Sequence, residues 1–171
     1  MKYSKPAGRR GFTLVEMLAV ISIIVILAAL VVGGMKFAKD KQDREKARIQ
    51  VALLSKAIEE YKADNGSFPA STNASGEGET KNLRQLLYLD GKNDEKKKIY
   101  LPELEESSRQ NWITGTGDSA TITDPYGNEY RFRSGKAALN PDFDVWSMGK
   151  DGKTKEDDLK AKDSLDDIRN N

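Results

Sequence analysis

The chain has 171 residues, with 28 Lys and Arg against 27 Asp and Glu, so its net charge is only +1. This length accommodates one domain and an appendage rather than two ordinary domains. The balanced charge argues against a nucleic-acid binder that acts through bulk positive charge. Because the chain has neither Cys nor His, disulfides, thiol catalysis, thiolate zinc sites and histidine general bases are excluded, whereas oxygen ligands for hard cations are plentiful.

The N-terminal part is a basic segment followed by an apolar one. Residues 1–11 carry four basic residues and no acid, and between Met17 and Val32 every residue except Ser22 is apolar. The stretch 12–34 is long enough for a short membrane helix, which needs ~17–20 apolar residues. A secretory signal and a plain membrane anchor share this pattern. Glu16 is unusual in both, because a carboxylate in lipid costs ~2–3 kcal/mol.

A third interpretation makes use of that carboxylate. The residues Gly11-Phe12-Thr13-Leu14-Val15-Glu16 resemble the processing site of type IV prepilins and of type II secretion pseudopilins. The resemblance implies that a prepilin peptidase cleaves after Gly11, on the cytoplasmic side, and N-methylates Phe12. The carboxylate of Glu16 would then pair with the free Phe12 amine of a neighbouring subunit, which relieves its cost in lipid. We favour this interpretation over the other two.

The same resemblance orients the chain and divides it. Basic residues flank the apolar stretch on both sides, so a charge count alone leaves the orientation open. The resemblance implies a leader peptide at residues 1–11, a membrane and filament-core helix at 12–34, an amphipathic continuation at 35–65 and a periplasmic head at 66–171. The chain would cross the bacterial inner membrane once.

An apolar stripe predicts that the helix continues far beyond the membrane segment. Its members recur at spacings of four and three residues and are Ala47, Val51, Leu54, Ile58 and Tyr61. The pair Asn65-Gly66 is a stop signal, and no proline lies in 12–64, so one helix of about 53 residues and ~80 Å is expected. The pair Gly33-Gly34 interrupts it, either as a tolerated weakness at the membrane edge or as a segment that unwinds when subunits leave the bilayer.

The remaining residues predict a head that makes the whole an α+β protein, a pilin-like lollipop. Leu83, Leu86 and Leu87 indicate a short second helix, and the charged run 90–98 is typical of a solvated loop. Short strands are predicted at 121–123, 129–133 and 143–147. The Pro and Gly of 124–128 form a turn between the first two. A small antiparallel sheet packed on the helix stripe would bury most of the aromatic residues.

Two motifs in the head narrow the resemblance to one family. The run Asp124–Tyr130 is similar to a motif of the major pseudopilin of type II secretion, and Phe143–Gly152 followed by Asp157-Asp158 is similar to its C-terminal calcium loop. The resemblance implies one Ca²⁺ per head. Its oxygen ligands would be Ser147, Asp151, Asp157 and Asp158. From the residues alone, the alternative is an Asp-Gly turn before a solvated acidic tail, and the polar stretch after Leu159 is expected to be frayed.

The expected function is mechanical rather than catalytic. The resemblance implies a structural subunit that polymerises through its N-terminal helix into a periplasmic pseudopilus and drives protein export. Its partners would be further copies of itself, a prepilin peptidase, other pseudopilins, inner-membrane secretion assembly proteins and the membrane, but no nucleic acid. The alternatives are a true type IV pilin or minor pilin for adhesion, motility or DNA uptake, and a membrane-anchored hydrolase or binding module.

Overall fold

The structure is a computed structural model, and it describes residues 11–108, 110–155 and 160–170. The chain divides into two units, one ending at Lys41 and the other beginning at Gln42, and each is described by itself. The first helix, α1 (Leu14–Asn65), contains this boundary. The second unit carries the remaining helices and all five strands of the described residues.

The helix α1 confirms the long helix expected from the sequence. It spans 52 residues and is continuous through Gly33 and Gly34. It ends at the predicted stop signal, where the backbone N–H of Gly66 donates to the carbonyl of Lys62 at 2.7 Å. Gly66 has a φ of +78°, a left-handed conformation that glycine adopts at little cost.

The predicted stripe of α1 forms one wall of the core of the head. Ala47, Val51, Leu54 and Ile58 are buried, and the half-buried Tyr61 packs against the edge of the cluster. Because their spacings of four and three follow the period of the helix, these side chains share one face. The opposing wall is built from buried apolar residues of the head. They include Leu83, Leu87, Leu104, Trp112, Ile122, Tyr130, Phe132, Phe143 and Val145.

A second helical stretch covers the region where three leucines indicated a helix. It consists of α2 (Thr80–Arg84), a π-helical turn (Gln85–Leu89) and α3 (Asp90–Asn93), which follow one another directly. The charged run that begins at Asp90 was expected to be a loop, and for its first four residues this expectation is wrong. The carboxylate of Asp90 accepts hydrogen bonds from Gln85 and Lys97, which hold the start of the run against the helix.

The segment between α3 and the strands is held by one buried arginine. The guanidinium of Arg84 donates to the carbonyl of Gly117 at 2.8 Å, to the Glu106 carboxylate at 3.0 Å and to the carbonyl of Leu104 at 3.3 Å. The Glu106 carboxylate also accepts the backbone N–H of Gly117. A region without diagnostic sequence motifs is therefore fixed to α2 by charge-assisted hydrogen bonds.

Five short strands form two antiparallel sheets. In the first, β1 (Ile113–Thr114) pairs with β2 (Thr121–Ile122). In the second, β4 (Phe143–Ser147) lies between β3 (Arg131–Ser134) and β5 (Ile168–Arg169). The three strands predicted from the sequence correspond to β2, β3 and β4. The α+β architecture with a long N-terminal helix is therefore confirmed, whereas β1 and β5 were not predicted.

The central strand β4 is buried on both faces. Phe143 and Val145 belong to the apolar core, while the alternate residues Asp144 and Trp146 lie on the opposite face of the sheet. A loop that contains Gly76 covers this second face. Gly76 has a φ of +70°, and a Cβ there would lie 2.9 Å from the β3 backbone and from the Trp146 ring, so only glycine fits.

The polar stretch after Leu159 was expected to be frayed, and for the described residues 160–170 this expectation is wrong. Ile168 is buried and pairs with Ser147 in the register of β4 and β5. Asn170 donates its N–H to the carbonyl of Val145 and accepts the Val145 N–H on its side-chain oxygen at 2.8 Å. The edge of β4 offers backbone N–H and C=O groups to the C-terminal segment. These hydrogen bonds order a segment that has few apolar residues, and the composition of the segment does not reveal them.

Candidate functional site

The N-terminal end of α1 is a capping box. The Oε2 atom of Glu16 accepts the backbone N–H of Thr13 at 2.8 Å and the Thr13 hydroxyl at 2.9 Å, and the Thr13 hydroxyl accepts the N–H of Glu16 at 3.2 Å. Thr13 precedes the helix, and the acid lies three residues further on, the spacing of a reciprocal cap. The sequence analysis identified Glu16 but not its own-chain partner, although the Thr-x-x-Glu pattern could have revealed it.

Beyond this cap, α1 presents an apolar surface. All large apolar residues from Leu14 to Val31 are exposed, between 42% and 80%. Among the described residues, α1 is the one helix long and apolar enough to cross a membrane. Glu16 is the single charged residue from Phe12 to Val31. The leader residues before Gly11 lie outside the described part of the chain.

The two head motifs that carry the family resemblance, 124–130 and 143–152, are joined by a hydrogen bond. The hydroxyl of Ser147, at the end of β4, donates to Asp124 Oδ2 at 2.6 Å and accepts the N–H of Gly149 at 3.0 Å. The other oxygen of Asp124 accepts the backbone N–H groups of Tyr126 and Asn128. Burial raises the pKa of the Asp124 carboxyl above its ordinary value, although these hydrogen bonds partly oppose the shift.

The Asp-Gly turn after β4 packs against the C-terminal segment. Gly149 has a φ of +65°, and a Cβ there would lie 2.5 Å from the carbonyl oxygen of Asp166. The carboxylate of Asp166 accepts the backbone N–H of Asp151 at 3.1 Å. The Asp151 carboxylate is exposed and accepts the N–H of Lys153. The contact therefore requires glycine at position 149 and brings two acidic residues to one turn.

Asp167 is the most enclosed carboxylate in this region, with 1% of its side chain exposed. Its Oδ2 atom accepts the Thr154 hydroxyl and the Arg169 guanidinium, each at 2.6 Å. Its Oδ1 atom is buried and has no hydrogen-bond partner. Burial raises the pKa of the Asp167 carboxyl, and the neighbouring Asp166 charge adds to the shift, while Thr154 and Arg169 oppose it. A buried carboxylate oxygen without a partner is energetically unfavourable, and a hydrogen-bond donor or a bound cation would remove this cost.

The predicted calcium ligands have different placements. Ser147 is buried with its hydroxyl engaged by Asp124, and Asp151 lies on the turn next to Asp166. Asp157 and Asp158 lie outside the described residues. Within the ranges that the structure describes, no three acidic side chains lie close enough together to hold a metal ion by themselves. The sequence analysis missed Asp166 and Asp167, although they form a second Asp-Asp pair nine residues after the first.

Comparisons with known proteins match both ends of the chain. A family model for the prokaryotic N-terminal methylation motif matches residues 6–32, and one for type II secretion system protein G matches residues 99–164. Type II secretion system core protein G of Klebsiella michiganensis is 31% identical over 151 residues, which cover 88% of this chain and 90% of the relative. The Escherichia coli K12 protein of the same name is 32% identical, with coverages of 88% and 89%. No solved structure matches the chain.

An apolar helix with an N-terminal methylation motif, joined to an α+β head, defines the class of pilin-like proteins. Identity of 31–32% over nearly the whole length makes the assignment specific. The chain belongs to the type II secretion system core protein G family. It is thus a pseudopilin of a type II secretion system, a member of a structural rather than an enzymatic family. The helix α1, which within the described part of the chain is the one able to cross a membrane, indicates a membrane anchor.

Proposed function

We propose that the chain polymerises through its N-terminal helix into a periplasmic pseudopilus and that growth of this filament drives protein export. The observation that carries the proposal is the identity to curated core protein G sequences across 88% of the chain, which includes both the N-terminal helix and the head. The exposed apolar surface of residues 14–31 supports it, because this surface needs lipid or other subunits around it.

The N-terminus would be prepared for assembly by processing. A prepilin peptidase cleaves after Gly11 and methylates Phe12, and Glu16 of one subunit then pairs with the Phe12 amine of its neighbour. In the isolated subunit the Glu16 carboxylate bonds to Thr13 of its own chain. The intersubunit pair would replace these bonds with a contact between opposite charges in an apolar environment, where such a contact is strong.

The proposed location and partners follow from this role. The chain crosses the inner membrane once and holds its head in the periplasm. Its partners are further copies of the chain, the prepilin peptidase, other pseudopilins and the inner-membrane assembly proteins of the secretion system. Relatives that carry the name type II secretion system core protein G support assembly with other components of such a system.

We further propose that the loop after β4 binds one Ca²⁺. The residues present fit a hard cation, because the buried Oδ1 of Asp167 lacks a partner and carboxylates are preferred calcium ligands. Asp151 and the Asp157-Asp158 pair would supply further carboxylates, and backbone carbonyls would complete the set. The cation would neutralise repulsion among these acids and close the C-terminal loop, which no disulfide can do in a chain without Cys.

A secretion assay tests the proposal. In the native host, deletion of the gene for this chain should abolish the appearance of folded exported proteins in the culture medium while they accumulate in the periplasm. The intact chain should restore export, and the Glu16→Ala variant should not. Unchanged export after deletion, together with loss of surface adhesion or motility, would instead assign the chain to the true type IV pilins.

A further inference from the structure

The stretch of α1 that follows the apolar segment combines basic and apolar side chains on its surface. Residues 35–41 contain three lysines against one acid, a net charge of +2. The lysines are exposed, and they are Lys36, Lys39 and Lys41. Met35 is 67% exposed and Phe37 is 76% exposed. Because these two residues continue the exposed apolar segment, they enlarge the surface that needs an apolar cover.

The length of the helix places this stretch at the surface of the membrane. A hydrocarbon layer of ~30 Å is spanned by ~20 residues of a helix that rises ~1.5 Å per residue. Counted from Leu14, such a span ends at residue 33. Phe37 then lies ~6 Å and Lys41 ~12 Å beyond the hydrocarbon. Because the headgroup layer is ~5–8 Å thick, Phe37 lies within it and Lys41 lies just above it.

The side chains of this stretch match the chemistry of a lipid headgroup layer. Phenylalanine on an interfacial helix lies at the boundary between headgroups and acyl chains. Lysine places its methylene chain along apolar surface and its ammonium group among the headgroups. Electrostatic attraction extends over a Debye length of ~8 Å at physiological salt, which covers the distance from the headgroups to Lys41. Lysines within that distance are attracted to an anionic lipid surface.

The orientation of the chain in the membrane does not account for these lysines. In the proposed orientation they lie on the periplasmic side, where basic residues close to a membrane span are normally depleted. The four basic residues of the leader already lie on the opposite, cytoplasmic side. Three lysines directly after the span reduce that asymmetry. Attraction to anionic headgroups is the role that their charge and their depth in the membrane support.

We propose that residues 35–41 bind the headgroups of anionic phospholipids, with Phe37 in the headgroup layer and the three lysines at the lipid phosphates. This inference rests on the proposed crossing of the membrane. It adds a lipid preference that a plain apolar anchor lacks, because hydrocarbon does not distinguish anionic from zwitterionic lipids. A subunit that leaves the membrane for a filament must give up this contact, so the contact retains unassembled subunits in the lipid.

Fluorescence quenching by brominated lipids tests the preference. The full chain with Phe37→Trp is reconstituted into phosphatidylcholine vesicles that contain one quarter of brominated phosphatidylglycerol or one quarter of brominated phosphatidylcholine. The natural Trp112 and Trp146 are buried in the head and give a constant background. The quenching should correspond to an enrichment of phosphatidylglycerol around position 37 of about threefold or more. The enrichment should fall at high salt, which screens the lysines.

Removal of the lysine charges separates this contact from general attraction of the chain to anionic lipid. Replacement of Lys36, Lys39 and Lys41 by Gln in the Phe37→Trp chain should abolish the enrichment. The matched control replaces three exposed lysines of the head by Gln and should leave the enrichment unchanged. These control positions are Lys81, Lys96 and Lys136. All six lysines are exposed, so both variants should fold, and a thermal melt of each checks this.

The outcomes distinguish failure of this inference from failure of the proposed function. Equal quenching by the two brominated lipids, or an enrichment that survives loss of the three lysines, would overturn the lipid preference. Absence of quenching by either lipid, in a chain that floats with the vesicles, would place position 37 outside the membrane and would also overturn it. These results leave the membrane anchor and the pseudopilus intact. A chain that does not float with vesicles would overturn the membrane crossing, and the lipid preference with it.

Discussion

At the scale of single residues, Glu16 has one partner in its own chain, Thr13, and a second, proposed partner in the filament, the Phe12 amine of a neighbouring subunit. In the subunit described here its carboxylate caps its own helix through Thr13, so it is hydrogen-bonded before any assembly occurs. Glu16→Ala removes the acceptor half of this cap, but it also removes a carboxylate whose placement in lipid is unfavourable. Glu16→Ala should therefore leave insertion into the membrane intact, and its effects should be confined to assembly.

Processing at Gly11 provides a residue-scale prediction. If the small Gly11 fits a narrow peptidase pocket, Gly11→Leu should block cleavage and leave the basic leader attached. Mass spectrometry of the native protein should show a chain that starts at N-methylated Phe12, and the variant should retain residues 1–11. A mature chain that begins near Gly34 or Met35 would indicate a secretory signal instead.

The buried ion pair between Arg133 and Asp144 gives a third prediction at this scale. Their side chains are 4% and 5% exposed, and the Nε–Oδ2 distance is 2.6 Å. Asp144→Asn leaves Arg133 buried without a countercharge and should lower the free energy of unfolding by about 3 kcal/mol. The control Asp142→Asn alters an acid that is 62% exposed and should change it by less than about 0.5 kcal/mol. Denaturant unfolding of both variants measures the difference.

The ion pair between Arg133 and Asp144 also makes the effect of Asp144→Asn on the free energy of unfolding depend on pH. Burial alone would raise the pKa of Asp144, but hydrogen bonds from Leu139, Arg133 and Asn140 together hold it below its ordinary value of 3.8. A lowered pKa in the folded state stabilises the protein above the ordinary value, and this stability is lost as the pH falls through the folded pKa. The difference in free energy of unfolding between Asp144→Asn and the natural chain should therefore have its full size at neutral pH and decrease below about pH 4. A constant difference would contradict this explanation.

At the scale of elements, local patterns in the sequence predict most of the fold. The proline-free apolar run from Phe12, the four- and three-residue spacing from Ala47 to Ile58 and the Asn-Gly stop together give both ends of α1 within two residues of those observed. The strands β2, β3 and β4 follow from their aromatic and β-branched residues. The strand β5 could not be predicted, because Ile168 is ordered by a distant strand edge and not by its polar neighbours. The same limit applies to the site. The sequence pattern identifies Glu16, and it shows a second Asp-Asp pair at 166–167, but it does not reveal that Asp167 is buried with an unpaired oxygen.

The C-terminal loop provides the element-scale prediction. Chelation of calcium should lower the melting temperature of the purified periplasmic head by several degrees, because a cation that binds only the folded state stabilises it by ~2.7 kcal/mol at a hundredfold excess over its Kd. Mg²⁺ should restore stability poorly, since it requires a smaller octahedral set of ligands. Asp151→Ala and Asp167→Asn should each reduce the response to added Ca²⁺. Superimposable melting curves with chelator, Ca²⁺ and Mg²⁺ would contradict the calcium proposal.

At the scale of the whole molecule, the N-terminal part of α1 and the head differ in how their apolar residues are covered. The large apolar residues from Leu14 to Val31 are exposed and form a surface that is stable only when an apolar environment covers it. The head, by contrast, has its own core, which is built on the stripe of α1 and closed by β4 and β5. If the chain polymerises as proposed, this separation would allow the subunit to enter a filament without refolding of its head.

Electron microscopy of filaments sheared from cells tests the central claim, polymerisation through the N-terminal helix, most directly. Cells that express the chain together with its secretion system should yield filaments that bind antibodies against the head. Cells that express Glu16→Ala at an equal level in the membrane should yield none, because the Phe12 amine of each subunit then lacks its partner. Filaments from the Glu16→Ala variant in natural numbers would contradict the ion pair, and no filaments from the unmodified chain would contradict the claim itself.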